Sequence, residues 1–453
     1  MLSGLFNLLQ ERSPVLMMVW ALMENVLHEE FLDDLFARSA LKQYTRTLLF
    51  SDVFIMMGGV VTGSVASVHE AFRTSVRERL VSLTSHYNKL NGIEAITCAA
   101  LVREVAQRVW EVVEQMGATL PALVPGYQTR IVDGNVLAGT DHRIKAVRGT
   151  RSAPLPGKSL VVLDPDRELA IEMLSCEDAH AQERSLFGRL LEFVGKGQLW
   201  IADRNFCTAE FLYSIVERGA AFLIRQHASL RWNAIEPLVI TEGMRIAEHL
   251  VSIPWKKGEI QARRIVVRLE KPTRDGDFEL AILTTLPALL VDAARVAELY
   301  RRRWSIETLF QTLTTTLKCE AQAIGYPKAA LFLFAVALVA ANIISGVRGA
   351  IRAVHGREEE EKLSTYHLVR DIQRGHGLFE DALATMLQGE ARMDRVALVA
   401  FLSTCAQRIR LERYHKAPNR GHRTQKKRGT PNDDPHVATA RLLEAARRRE
   451  VAL

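Results

Sequence analysis

The chain has 453 residues, of which 48% are hydrophobic and 25% charged, values that exclude a disordered or fibrous protein and predict two or three globular domains. Its formal net charge of +7 is compatible with an acidic partner such as nucleic acid but does not require one. The charge is uneven, because residues 1–125 carry 10 Lys and Arg against 13 Asp and Glu, whereas residues 408–428 carry nine against one.

The cysteine pattern argues against a disulfide framework and against a zinc knuckle. The cysteines are scattered and form no C-x-x-C pair: Cys98, Cys176, Cys207, Cys319 and Cys405. We therefore expect a reducing, cytoplasmic location. No early run of basic residues precedes the first apolar stretch, so a cleaved signal peptide is not expected either.

Residues 1–122 are predicted to form a helical N-terminal domain for the recognition of a partner or for assembly. Ser13 and Pro14 suit the N-cap and first position of a helix. "VREVAQRVWEVVEQM" repeats apolar residues at helical spacing and stops at Gly117. The proline-bearing stretch "LPALVPG" then marks a domain boundary.

Strands and helices alternate over residues 123–227. The strand-like runs are "TRIVDGNVLAG", "SLVVLD" (159–164), "ELAIEML" (168–174), "QLWIAD" (198–203) and "AAFLIRQ". The helical runs are "AQERSLFGRLLEFV" (181–194) and "AEFLYSIVERG" (209–219). Three adjacent strands followed by strand–helix units predict an α/β fold with a mixed sheet flanked by helices.

The second half of the chain divides into three further segments. Short strands and turns over 228–290 predict a β-rich insertion, and helices return over 291–350. Residues 351–453 read as a helical C-terminal region whose basic, turn-rich stretch 415–435 is a flexible loop or arm. The apolar run 329–347 approaches the length of a membrane span, but Asn342, Ser345 and Gly346 favour a buried core helix.

Two aspartates stand where apolar strands end: Asp133 in "IVDGN" and Asp203 in "IADRNFC". A strand-end aspartate is often a turn former or a helix N-cap, and we assign that role to Asp164 and Asp166 in "LDPDR". Asp133 and Asp203 instead follow strongly apolar runs, so we expect both carboxylates to lie at the edge of a hydrophobic sheet. That position suits carboxylates that hold a hard divalent ion.

A third acid lies within "YRRRWSIETLFQTLTTTLK" (300–318), which we interpret as one helix. At about 100° per residue, Glu307 shares a face with Tyr300, Arg303 and Lys318. The alternative is an ordinary ion pair between Arg303 and Glu307 at i,i+4 spacing. Three carboxylates together would suit phosphoryl transfer with two metal ions.

In this order the three motifs resemble the DDE transposases of bacterial insertion sequences, specifically insertion-sequence family four. "IVDGN" and "IADRNFC" look like the first and second acidic motifs of the family, and "YRRRWSIETLF" is similar to its Y-x2-R-x3-E signature. The resemblance covers about residues 128–345. It implies an RNase H-like core with a β-rich insertion before the third acid.

The resemblance implies a function for each matched position. Asp133, Asp203 and Glu307 would be the catalytic triad and would bind Mg²⁺, with two ions in the site and Mn²⁺ as a substitute. Tyr300 and Arg303 would contact phosphates at the transposon end.

One position departs from the family pattern. The lysine expected seven residues after the glutamate is replaced by Thr314, and Lys318 is the candidate substitute.

Three further residues are candidates for DNA contact. Arg143 and Lys145 lie in the basic stretch "DHRIKAVRGTR" (141–151), where a solvated loop is an equally good reading. Trp304 could stack on a displaced base or pack beside its helix. His142 and His227 have no spaced metal-ligand partner and are treated as structural.

The family resemblance implies DNA partners, namely terminal inverted repeats and target DNA, a homodimer in the DNA complex, a bacterial cytoplasmic location and no membrane. Two alternatives stay open: an RNase H-like nuclease without strand transfer, and a transposase-derived DNA-binding protein that has lost activity. The intact triad argues against the second, and Thr314 is the residue in its favour. The net negative charge of the N-terminal domain fits DNA recognition poorly, so assembly is its main expected contribution.

Overall fold

The N-terminal region is helical, as predicted. The computed structural model describes residues 10–451 except 44, 46, 76–80, 238, 241–244, 257, 273–275, 375–391 and 418–435. Ser13 is the N-cap of the first helix and Pro14 its first residue, although the Ser13 hydroxyl makes no capping bond. The helices described before residue 120 are α1 Pro14–Val26, α2 Glu29–Ser39, α3 Phe50–Thr62, α4 Val68–Thr74, α5 Leu83–Gly92 and α6 Ala95–Gln115.

A large mixed sheet forms the centre of the molecule. Its strands are β1 Gln128–Val136, β3 Lys158–Asp164, β4 Leu169–Cys176, β5 Gln198–Ala202, β6 Ala221–Arg225, β7 Asn233–Ala234, β8 Val239–Ile240, β9 Ile246–Trp255, β10 Gly258–Arg268 and β11 Glu279–Thr284. The spatial order is β4-β3-β1-β5-β6-β11-β10-β9-β7, with β8 paired to β9. β1 runs antiparallel to β3 and parallel to β5, which is parallel to β6. The predicted mixed sheet flanked by helices is therefore confirmed.

The strands of segment 228–290 continue this sheet instead of forming a separate one. β11 pairs antiparallel with β6, and β10 pairs with both β11 and β9. Without β11, β6 would present an open row of backbone hydrogen-bonding groups at the edge of the core sheet. The β-rich character of the segment was predicted, but its union with the core was not.

Short helices cover the sheet beside the first two acids. The predicted helix over 181–194 is wrong over most of its length, because a 3₁₀ turn at Glu183–Leu186 leads into α7, Phe187–Leu191. Phe187 stacks on Phe206 with ring centroids 5.2 Å apart, so packing over the sheet sets the path of this segment. The predicted helix after the second acid is present as α8, Ala209–Glu217.

The long apolar run forms a buried core helix. Among the described residues, α11 (Pro327–His355) is the helix long and apolar enough to cross a membrane, but 89% of its most apolar window is buried inside the protein. Asn342, the polar residue that argued against a membrane span, binds the edge strand β4. Its side chain accepts from Ala170 N and donates to Ala170 O, both at 2.9 Å. The prediction of a core helix is confirmed.

The third acid lies on the second of two helices, α9 (Ala293–Arg301) and α10 (Trp304–Thr315). The C-terminal region contains α12 Arg357–Glu361, α13 Arg395–Gln407 and α14 Thr439–Val451. Strand β12 (Val437–Ala438) precedes α14 and pairs parallel with β2 (Pro154–Leu155), which attaches the C-terminal helix to the core. Most of the predicted basic arm, residues 418–435, lies outside the described residues.

Candidate active site

Two neighbouring parallel strands bring the first two acids together. The last paired residues of β1 and β5 at this end are Val132 and Ala202. Asp133 and Asp203 follow them directly, so they lie side by side with about the 4.8 Å spacing of adjacent strands between their backbones. The parallel register therefore places both predicted aspartates at one edge of the sheet.

Asp133 is a largely buried carboxylate. Its side chain is 17% exposed, and Oδ1 accepts a hydrogen bond from Gly134 N at 2.9 Å. Burial raises the pKa of Asp133 to about 7, against the pull of the Arg303 guanidinium and with a contribution from the charge of Asp203. A carboxyl group in this position gains its charge easily when a cation is bound beside it.

Asp203 has both a structural and a site position. Its Oδ1 accepts from Asn205 N at 2.8 Å and caps the 3₁₀ turn Arg204–Phe206. Burial raises the pKa of Asp203, while the Asn205 N–H and then Arg303 act in the opposite direction. Asp203 is therefore both the N-cap of this turn and a neighbour of Asp133.

The third acid approaches the sheet on a helix that is shorter than predicted. The single helix expected over 300–318 is wrong, because the chain turns tightly between α9 and α10, with Arg303 N donating to Tyr300 O at 3.1 Å. α10 packs against β1 through its buried face, which includes Ile306. Glu307 follows Ile306 at the border of that face, and its side chain is 44% exposed.

Arg303 joins the first acid to the third. Its Nη1 donates to Asp133 Oδ2 at 2.9 Å, and its Nη2 donates to Glu307 Oε1 at 2.5 Å. The Arg303 side chain is only 11% exposed. The i,i+4 ion pair that was the alternative reading of the helix is therefore present, but the same guanidinium also reaches the sheet.

Tyr300 lies beneath Arg303 and not on the surface. The residue is 5% exposed, and its ring centroid is 5.9 Å from the guanidinium carbon of Arg303. Burial raises the pKa of the Tyr300 hydroxyl. Its contact in this structure is with Arg303, and a direct contact with DNA stays a prediction.

Lys318 does not share a helical face with Glu307. α10 ends at Thr315, near three threonines whose hydroxyls bond back to carbonyls of the preceding turn. β-Branched residues with such back-bonds are poor helix formers, which accounts for the early end. Lys318 has a positive φ of 39°, and its Nζ lies 2.8 Å from the position that a Cβ on Gly63 would take, at the C-terminal end of α3.

The other predicted DNA contacts are accessible. Trp304 is 62% exposed at the start of α10, so the expectation that it packs beside the helix is wrong and the stacking role stays open. Arg143 and Lys145 are exposed on the loop after β1, where Arg143 pairs with Asp141 at 3.1 Å. The C-terminal helix α14 packs against the turn Lys145–Val147 of the same loop.

A fourth acid, Glu183, was not predicted. Its Oε1 fills the space that a Cβ on Gly134 would occupy, directly beside the first acid. Burial raises the pKa of Glu183, and the charge of Asp203 adds to that rise. Periodicity gave no signal for Glu183, because a helix over 181–194 would not single it out. Its place depends on the turn that carries it back across β1.

The donor chemistry of the site fits a divalent cation. Carboxylate oxygens are the ligands that Mg²⁺ prefers, and burial raises the pKa of both aspartates, so a bound cation would favour their charged forms. The ligands are not gathered, however, because no three His, Cys, Asp or Glu side chains of the described residues are grouped so that they could hold a metal ion. Arg303 lies between two of the three predicted ligands.

Comparisons with known proteins point to one family. The sequence profile of the transposase DDE domain matches residues 125–343, a segment that begins just before β1 and ends within α11. A Sinorhizobium fredii protein, y4zB, whose name describes it as a transposase, is 26% identical over 169 residues. That match covers 36% of this chain and 45% of the relative, so the chain spans about half the length of the curated relative it matches.

One solved structure is similar to this chain over most of the length of both chains. It is a cryo-EM structure of the piggyBac transposase synaptic complex with hairpin DNA, with 11% identity and a TM-score of 0.40 over 94% of this chain and 89% of that one. This TM-score is too low to add support to the family match. The matched segment 125–343 contains all three predicted acids. Residues 125–343 belong to the transposase DDE domain family.

Proposed function

We propose that this chain is the transposase of a bacterial insertion sequence of family four. It would cleave DNA at the terminal inverted repeats of its element and join the freed ends to target DNA. The proposal includes a homodimer in the DNA complex and action in the bacterial cytoplasm. These finer statements rest on the motif resemblance and go beyond the family assignment.

The observation that carries the proposal is the meeting of three sequence motifs at one place. Asp133 and Asp203 are adjacent through the parallel register of β1 and β5, and Glu307 is tied to Asp133 through Arg303. Arg303 thus links side chains separated by up to 174 positions along the chain, all within the segment that matches the DDE domain. Structural ion pairs also perturb pKa values, so this convergence weighs more than the raised pKa values alone.

We assign the binding of divalent cations, Mg²⁺ or Mn²⁺, to Asp133, Asp203 and Glu307. Two such ions, when bound, would activate water or a 3′-hydroxyl and stabilise the departing oxygen. Arg303 carries a planar fork of donors that suits a DNA phosphate. The exposed indole of Trp304 offers a stacking surface for an unpaired base next to the acids.

The test is DNA cleavage by variants of each acid. Asp133→Asn, Asp203→Asn and Glu307→Gln should each reduce Mg²⁺-dependent cleavage of duplexes bearing the repeats that flank the gene by at least about 10³-fold, because each removes an ionised oxygen ligand. Binding of the same duplexes should change by less than about tenfold, because phosphate contacts remain. Gel assays of cleavage and binding on the same preparations measure both.

Glu298→Gln is the matched control. Glu298 lies on α9 with its side chain 44% exposed and pairs with Arg295 at 2.6 Å. This variant should cleave like the unmodified protein. Normal cleavage by any one of the three site variants would remove that residue from the proposed triad.

A further inference from the structure

Arg303 occupies the space between two of the acids assigned to the metal ions. Its two terminal nitrogens bond Asp133 Oδ2 and Glu307 Oε1 at 2.9 Å and 2.5 Å. The side chain is 11% exposed, so it is inserted into the site and does not lie across its surface. Within the part of the chain that the structure describes, no three potential ligands are gathered for a metal ion.

The guanidinium and a divalent cation would compete for the same oxygens. Asp133 Oδ2 and Glu307 Oε1 accept from Arg303, and Asp133 Oδ1 accepts from Gly134 N, so a cation between the two acids would have to share their oxygens with these donors. Two positive groups within a few ångströms in a largely buried site also repel strongly. Arg303 must therefore leave at least one of the two acids before a metal ion can be held between them.

Two buried donors indicate what could draw Arg303 away. Arg303 Nε is buried and has no partner among the described residues. Asn135 Nδ2 is likewise buried without a described partner, and Asn135 lies two residues after Asp133 on the same face of β1. Both atoms can only donate, so they call for an acceptor that the described protein groups do not supply.

A backbone phosphate of DNA has the chemistry of that missing acceptor. It offers several strong acceptor oxygens, and it can take both the Nε–H and one terminal N–H of an arginine in a bidentate bond. Glu307, the partner of Arg303 at the surface, is 44% exposed, so the Arg303 guanidinium can move towards solvent on that side. Tyr300 packs beneath the guanidinium, with its ring centroid 5.9 Å from the guanidinium carbon.

We infer that Arg303 couples DNA binding to metal binding. Without DNA, Arg303 holds Asp133 and Glu307 and excludes a divalent cation from the space between them. When a DNA phosphate takes the Arg303 fork, the two carboxylates are released and the metal ion enters. This inference rests on the proposed function, in which the same acids hold metal ions, and it adds the order in which the two ligands bind.

The test measures metal binding and not catalysis. Mn²⁺ binding to the full chain without DNA is followed by the loss of the free-ion signal in electron paramagnetic resonance. Arg303→Gln should bind Mn²⁺ about tenfold more tightly than the unmodified protein, a factor within the usual range for coupled sites. Arg302→Gln is the matched control, because Arg302 is the exposed neighbour and it is Arg303 that bonds Asp133 and Glu307, so this variant should leave Mn²⁺ affinity unchanged.

A second measurement needs no variant. If DNA and metal binding are coupled, Mn²⁺ must tighten the binding of the repeat duplex by the same factor by which the duplex tightens Mn²⁺ binding. We expect about a tenfold effect in both directions for the unmodified protein, and little in Arg303→Gln. Equal Mn²⁺ affinity with and without DNA would overturn the inference even if Arg303→Gln did not fold.

The role of Arg303 and the proposed function can fail independently of each other. Coupled binding without any DNA cleavage would support the role of Arg303 and contradict the transposase activity. DNA cleavage with uncoupled binding would support the transposase activity and contradict the role of Arg303. Loss of Mn²⁺ binding in Asp133→Asn identifies the site that the metal signal reports.

Discussion

Gly134 and Glu183 constrain each other beside the first acid. A Cβ on Gly134 would lie 2.9 Å from Glu183 Cδ and closer still to its Oε1. Because the colliding group is the end of a flexible side chain, we expect Gly134→Ala to displace the Glu183 carboxylate at a cost of about 1 kcal/mol, at the low end for overpacking. Chemical denaturation measures this loss.

The collision can be separated from other effects by a double-mutant cycle. In a Glu183→Ala background the cost of Gly134→Ala should vanish, which gives a coupling energy of about 1 kcal/mol. Gly188→Ala is the control, because a Cβ there meets nothing within 4 Å. Additive costs would show that Glu183 does not occupy the space over Gly134 in solution.

The site residues differ in how far sequence could reveal them. Asp133 and Asp203 were predictable, because each follows an apolar run and the parallel pairing of β1 with β5 places them side by side. The strand-end position was right for Asp203 and wrong for Asp133, because β1 continues to Val136 through its pairing with β3. Glu183 was not, because its approach to β1 depends on a turn whose packing is non-local. The double contact of Arg303 was half predictable: its i,i+4 pair with Glu307 follows from helical spacing, but its bond to Asp133 follows from the fold.

At the scale of elements, the early end of α10 changes the expected role of Lys318. Its ammonium group lies at the C-terminal end of α3, where a positive charge favours the helix dipole. Lys318→Ala should therefore lower the free energy of unfolding by less than about 1 kcal/mol and leave the affinity for repeat duplexes unchanged. Thermal unfolding and a binding titration measure the two quantities.

Thr314→Ala is the companion variant, because Thr314 is exposed and its hydroxyl bonds to the Phe310 and Gln311 carbonyls of its own helix. It should change neither quantity appreciably. A loss of duplex affinity of tenfold or more in Lys318→Ala, at unchanged stability, would restore Lys318 as a phosphate contact and contradict the position described above.

The elements also show where sequence reasoning stops. Strand positions were predictable from apolar runs, and the core helix α11 from its polar interruption at Asn342. The turn at Arg303 was not, because helical spacing continues on both sides of it. The pairing of β11 with β6 was not either, since the choice of strand partners depends on contacts far apart in the chain.

At the scale of the whole molecule, part of the basic C-terminal stretch is folded against the N-terminal helices. Four arginines, Arg12, Arg408, Arg410 and Arg413, line a cavity of about 300 Å³, and Glu11 is the single acid among the described residues that line it. Arg408 is fixed by a bond to Gln10 at 2.8 Å. Such a surface suits DNA phosphates, although the N-terminal region as a whole is negative.

We predict that this cavity contributes sequence-independent DNA binding. The double substitution Arg410→Ala with Arg413→Ala should make the slope of log affinity against log salt shallower by about 1–2, because each phosphate contact contributes about 0.9. Arg357→Ala, which removes an exposed arginine paired with Glu361 at 2.7 Å, is the control. An unchanged slope in the double variant would mean that this surface does not meet DNA.

In the proposed function, Asp133, Asp203 and Glu307 are the residues on which the joining of DNA ends to a target depends. The most direct measurement incubates the protein with Mg²⁺, a duplex ending in the exposed 3′-hydroxyl of the repeat, and a supercoiled plasmid, and then detects covalent joining on a gel. We predict joined product with the unmodified protein and with Glu298→Gln, and none with Asp203→Asn. Cleaved DNA without joined product would identify a nuclease, and joining by Asp203→Asn would contradict the assignment of the site.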